Sequence, residues 1–217
     1  MPAGVPELLA RGPWEASRVE ASWSEQPFVP DAQAVAAADA AVAELRERGS
    51  PTHDGMSARL AAFDASEGRL SLALQPARWS LRLAGDVGGS ISALCVVRDA
   101  DGRWLAGRRA AWVATWAGRW ALGAGGAVEV GENPVHTLAR ELHEEWRLRP
   151  EHLSVEALVR APSGLILLIG LAQLAAGAGE VQMDAEHDAH AWWPPDPADW
   201  PAVADEELRR TGMLLAR

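Results

Sequence analysis

The glycine-rich run Gly123-Ala-Gly-Gly126, followed by a helix crowded with carboxylates, most narrows what this chain can fold into. Asn133 is a good helix cap and Pro134 suits the first helical position, so the spacing predicts a helix to about Trp146. On that helix Glu141, Glu144 and Glu145 stand at i, i+3 and i+4 and share one face. Like charges at this spacing repel by a few tenths of a kcal/mol per pair. A hard divalent cation such as Mg²⁺ relieves that repulsion, because it prefers carboxylate oxygen and water. Arg140 lies one turn before Glu144 and can hold its carboxylate, and Glu132 can reach the same guanidinium or the positive helix start. Glycines at 123, 125 and 126 let backbone atoms approach a metal or phosphate with no Cβ in the way. The bland alternative is a solvated glutamate-rich helix face, and the spacing argues against it.

Around this stretch the pattern is mostly short strands. Ile91–Val97 and Trp104–Arg108 flank an Asp99–Gly102 turn and read as a hairpin. Further strands are expected near Trp120–Ala124, Leu153–Arg160, Leu165–Leu174 and Ala189–Trp193, with a terminal helix over Asp205–Leu215. Ahead of them, residues 1–30 read as an irregular arm. Asp31 caps a helix that runs through Arg48 and stops at Gly49. Strands are expected at Arg59–Phe63, Arg69–Gln75 and Trp79–Leu83, with Leu70, Leu72 and Leu74 on one face. Gly85, Gly88 and Gly89 mark a boundary, which divides the chain into an N-terminal extension (1–85) and a main domain (86–217). Strands outnumber helices and mix with them, so the fold class is α/β in the wider sense: α+β, or a mixed α/β sandwich.

Composition excludes several classes. Of 217 residues, 48% are apolar and 23% charged, which rules out a disordered, collagen-like or disulfide-built chain. All 20 basic residues are Arg, Tyr is absent and Ala supplies about a fifth of the chain, a bias of GC-rich coding. The net charge of -10 gives no basic footprint for a long nucleic acid, whereas a small anion stays compatible if a metal neutralises the local charge. Cys95 stands alone, which excludes an internal disulfide and fits a reducing cytoplasm. The most apolar run, Leu165–Ala178, is interrupted by Gly170, Gln173 and Gly177 and is too short to span a bilayer. A cytoplasmic chain with no membrane partner is the expectation.

Gly126, five residues, Glu132, seven residues, Arg140-Glu141-Leu142, one residue, Glu144-Glu145 and then Leu148 resembles the signature of the Nudix hydrolases. Chance would produce the six Gly and charged matches about 10⁻⁴ times in such a chain. One position departs: Arg147 stands where the family has a Gly that closes the helix in the left-handed conformation. The resemblance extends over roughly residues 88–215. The strand and Trp104-Leu-Ala-Gly-Arg-Arg109 look like the family's opening hairpin, and Glu186-His-Asp-Ala-His-Ala-Trp-Trp193 like its acidic segment entering a last strand.

The resemblance implies an α/β/α sandwich with a mixed sheet, preceded here by a small α+β extension. It implies Mg²⁺ or Mn²⁺ held by Glu141, Glu144, Glu145 and the Gly126 carbonyl, with Arg140 and Glu132 orienting them and Glu144 or Glu141 doubling as base. The implied reaction is hydrolysis of the diphosphate linkage in a nucleoside diphosphate derivative, such as ADP-ribose or a UDP-sugar. Alternatives are hydrolysis of a damaged or surplus nucleoside triphosphate, or a nucleotide-sensing domain without catalysis; an isoprenyl diphosphate isomerase fits less well, since Cys95 lies far upstream. Arg108 and Arg109 are candidates for a phosphate clamp, only one of which can face inward, and Glu186 is a further candidate at the substrate. His187 and His190 read as exposed loop histidines. Trp112, Trp116 and Trp120 read as packing residues before base-stacking ones. The extension suits a bulky substrate and a homodimer.

Overall fold

The computed structural model describes residues 6–50, 54–85, 87–178 and 180–216. Eleven strands are among them: β1 (Glu7–Glu15), β2 (Val19–Trp23), β3 (Met56–Ser66), β4 (Arg69–Arg78), β5 (Ile91–Arg98), β6 (Trp104–Arg109), β7 (Trp120–Leu122), β8 (Ala124–Ala127), β9 (His152–Arg160), β10 (Ile166–Gln173) and β11 (His187–Trp193). Three helices accompany them: α1 (Ala32–Glu47), α2 (Pro134–Trp146) and α3 (Glu206–Leu215). Helices α1 and α2 begin at the predicted caps, and Asp205, expected inside the terminal helix, caps it instead. Asp31, Asn133 and Asp205 accept from the backbone amides of Ala34, Val135 and Leu208.

The main sheet runs β1-β9-β10-β5-β6-β11, with β7 added to β6 and β8 to β5. It is mixed, because β5 pairs parallel with β10 and antiparallel with β8. The β5–β6 hairpin closes only at Arg98 and Trp104 and then splays, which frees β5 to receive the glycine-bearing β8. Alternate residues of β5 feed two buried clusters. Ala93, Cys95 and Val97 face Leu138, Leu142 and Trp146 of α2, while Val96 faces Leu208 and Leu215 of α3. Helices on both faces make the sandwich of α/β/α layers. No helix among the described residues is long and apolar enough to cross a membrane.

The first thirty residues differ from the irregular arm expected. β1 pairs with β9 at the edge of the main sheet, and β2 pairs parallel with β4 in a second sheet of order β2-β4-β3. Both partners lie far along the chain, so no local periodicity announces the pairing. The expected strand Trp79–Leu83 is a 3₁₀ turn over Trp79–Ala84, with Leu81 buried against α1 beside Ala34 and Ala38. The single strand expected at Trp120–Ala124 is broken by Gly123, whose φ of +60° turns the chain from β7 into β8. The small sheet buries Leu70, Leu72 and Leu74 in the cluster that also holds α2. The extension is therefore packed on its own chain.

Candidate active site

Helix α2 presents its carboxylates beside β8, which runs along the middle of β5. Its register is fixed at the far end by Trp146, fully buried, whose indole N–H donates to the Gly123 carbonyl at 3.0 Å. The helix closes at Arg147 with φ 56° and ψ 24°, so the left-handed ending survives where the family signature has Gly.

Arg140 is the hub of the acidic face. Its guanidinium donates to both Glu132 oxygens at 3.1 and 3.2 Å, to Glu141 Oε1 at 2.7 Å and to Glu144 Oε2 at 3.1 Å. Glu132 also accepts from the Thr137 hydroxyl at 2.7 Å and from the Glu129 amide at 3.3 Å. It outweighs its partial burial with these bonds, which hold its carboxyl below the usual range, while Arg140 is held well above its own.

Glu145 is the anomaly. It is 4% exposed; Oε1 accepts from the Gly125 amide at 3.2 Å, and Oε2 is buried with no hydrogen-bond partner. Burial pushes its carboxyl up to about 9, and the charges of Glu141 and Glu186 push the same way against Arg109 and the Gly125 amide. Glu141 is raised too, chiefly by burial, with Arg140 opposing. Glu144 is the exposed member of the three.

Among the described residues no three His, Cys, Asp or Glu side chains stand grouped for a metal. Glu141 and Glu144 are instead both paired with Arg140. The donor chemistry nevertheless fits a hard cation. The buried Oε2 of Glu145 has no hydrogen-bond partner, and a Cβ at Gly126 would stand 2.1 Å from Glu141 Oε1, so only glycine leaves that carboxyl its place.

Arg109 is largely buried and pairs with Glu186 at 2.9 Å, and both act electrostatically on Glu145. Arg108 points to solvent and pairs with Asp188 at 2.6 Å. His187 corrects the expectation of an exposed loop residue: it is 6% exposed, its Nδ1 lies 3.2 Å from Asp184 Oδ1 and its Nε2 lies 3.7 Å from Glu145 Oε2. Burial lowers its pKa. Its ring lies 4.4 Å from that of Trp146 because Gly107, on β6, leaves the space; a Cβ there would meet both rings within 2.7 Å. That isolated glycine inside a predicted strand is the one sequence signal that marks the close approach. His190 is exposed. Trp120 packs on Trp193, whereas Trp112 and Trp116 are exposed.

A family model described as the NUDIX domain matches residues 90–212. No curated protein sequence matches the chain. Among solved structures, a MutT NUDIX hydrolase from Burkholderia pseudomallei is 23% identical, covers 58% of this chain and 97% of its own, and has a TM-score of 0.47. The MutT protein from Methanosarcina mazei Go1 is 22% identical over 59% of this chain and 96% of its own, with a TM-score of 0.43. A bifunctional NMN adenylyltransferase/ADP ribose pyrophosphatase from Francisella tularensis, complexed with AMP and Mn ion, is 16% identical over 58% of this chain and 41% of its own, with a TM-score of 0.41.

Proposed function

The chain belongs to the Nudix family of pyrophosphohydrolases, and on that premise we propose that it cleaves the diphosphate linkage of a nucleoside diphosphate derivative, with ADP-ribose or a UDP-sugar as the preferred kind. The observation that carries the site assignment is the bare, buried Glu145 oxygen on the helix face that also bears Glu141. A buried carboxylate oxygen with no hydrogen bond is disfavoured in its charged form, and a divalent cation would supply the contact it lacks.

Glu141, Glu144 and Glu145, with the Gly126 carbonyl, are the proposed holders of Mg²⁺ or Mn²⁺. Such an ion would draw charge from the phosphate oxygens and acidify an attacking water. Glu144, exposed and at the rim, or Glu141 would take the proton of that water. Arg140 sets the two carboxylates from one side, anchored by Glu132. Arg109 is the arginine proposed to meet a phosphate, being the more buried of the two and within the field of Glu145; Arg108, paired in solvent, is left as a surface charge. The preference for a bulky substrate rests on residues 1–85, proposed as an extension that adds a wall beside the helix start; a homodimer completes the proposal.

A panel of nucleotide sugars, nucleoside triphosphates and dinucleoside polyphosphates, assayed with Mg²⁺ and Mn²⁺ for released nucleotide, tests this directly. Turnover of ADP-ribose or a UDP-sugar above triphosphates is expected. Turnover of triphosphates alone overturns the substrate proposal, and tight nucleotide binding with no product overturns the catalytic one.

A further inference from the structure

The loop over residues 128–133, which carries Glu132 into helix α2, is gripped from both sides by the extension. On one side the Ala58 amide of β3 donates to the Val128 carbonyl at 2.8 Å, and Ser57 bridges Glu129. On the other, the indole N–H of Trp23, at the end of β2, donates to the Glu132 carbonyl at 3.1 Å. Asn133 does two jobs with one amide. Its oxygen caps α2 at the Val135 amide (3.0 Å), and its nitrogen donates to the Val19 carbonyl of β2 (3.1 Å).

Within this gripped loop, Glu132 holds Arg140, and Arg140 holds Glu141 and Glu144. The path from Trp23 to the carboxylates is thus one backbone bond, one ion pair and one guanidinium long. We propose that the extension is a brace for the acidic face, with Trp23 and the Asn133 amide nitrogen acting as positioning residues through Glu132 and Arg140. This rests on the reading that Glu141 and Glu144 serve a divalent cation. It assigns the small sheet a task separate from walling the substrate.

Two substitutions cut the brace while sparing what surrounds it. Trp23→Phe removes the N–H donor and keeps an aromatic ring against the core. Asn133→Ser keeps a capping oxygen, adds no charge and removes the donor to Val19. Mn²⁺ affinity of the full chain, measured by electron paramagnetic resonance of the free ion, is the readout, with melting temperature recorded in parallel. Each variant is expected to bind Mn²⁺ about three- to tenfold more weakly, the equivalent of one hydrogen bond. In a Glu132→Ala background, Trp23→Phe is expected to change Mn²⁺ affinity no further, because its path is already cut.

Wild-type affinity in both variants overturns the brace. So does an undiminished effect of Trp23→Phe in the Glu132→Ala background, which would make Trp23 a packing residue. Should Trp23→Phe melt below the assay temperature, Asn133→Ser decides alone. A parent chain that binds no Mn²⁺ overturns instead the reading of the site itself, so the two failures are told apart.

Discussion

The carboxyl of Glu141 rests against the α-carbon of Gly126, so closely that a methyl added there would meet Oε1 at 2.1 Å and Cδ at 2.4 Å. Sheet and helix thus share a space that admits one carboxyl and no side chain beside it. The obstacle is the tip of a flexible side chain, so Gly126→Ala displaces Glu141 while the fold gives way little. Stability should fall by about 1 kcal/mol or less, and Mg²⁺-dependent hydrolysis at least about tenfold, the effect of a misplaced catalytic group. Undiminished turnover would show that the Glu141 carboxyl does not act where it rests.

Glu145→Gln separates stability from function. The folded chain holds a proton on Glu145 up to about pH 9, whereas the unfolded carboxyl releases it near its ordinary value of 4.5. Between those values the folded state binds more protons, so metal-free stability falls as pH rises through the window. The Gln variant carries no such slope. Its metal-free melting temperature at pH 8 should rise by about 3–6 °C, while hydrolysis is lost and the stabilisation that Mg²⁺ gives the parent disappears. Thermal melts with chelator and with Mg²⁺ at pH 6 and 8 check this, and a variant less stable than its parent at pH 8 contradicts it.

Arg147 stands at φ 56° with its side chain in solvent. A residue with a Cβ loses about 1 kcal/mol in that conformation relative to glycine. Arg147→Gly should therefore raise the melting temperature by about 2–4 °C and leave kcat unchanged. A lower melting temperature would mean that the arginine makes contacts that outweigh its backbone.

A chain beginning at residue 86 lacks Trp14, Val19, Leu70, Leu72 and Leu74, all buried in the cluster that also holds Leu138 and Leu142 of α2. It also strips β1 from β9 and leaves that edge bare. It is expected to aggregate or to melt without a cooperative transition. A soluble, cooperatively folding fragment that ranks substrates as the full chain does would remove the extension from both stability and selectivity.

Local signals carried much of this structure. The caps Asp31 and Asn133, the alternation of Leu70, Leu72 and Leu74, and the spacing from Gly126 to Glu145 each act over a few residues, and each element lies where its pattern puts it. What was hidden depends on distant partners. Gly12 and Pro13 argue against a strand, yet β9 offers a ladder across that stretch with an irregular register between Arg11 and Trp14. Trp79–Leu83 alternates like a strand, but it turns tightly and buries Leu81 against Ala34 and Ala38 of α1. His187 is buried by the shape of two other elements, through Gly107 and Trp146. The missing hydrogen bond at the Glu145 oxygen is likewise a matter of what fails to surround it.

The pairing of β1 with β9 also sets an order of assembly. Glu7 lies opposite Arg160, and Glu15 opposite Ser154, so this edge cannot form until β9 has been made, about 140 residues later. Closing so long a loop costs about 3 kcal/mol more chain entropy than closing a hairpin. During synthesis β1 emerges ahead of the acidic helix and then waits, unpaired, until β9 has left the ribosome. The first strand of this sheet to be translated thus has to wait for a partner made far downstream, and until it is seated β9 keeps an open edge on which other strands can add.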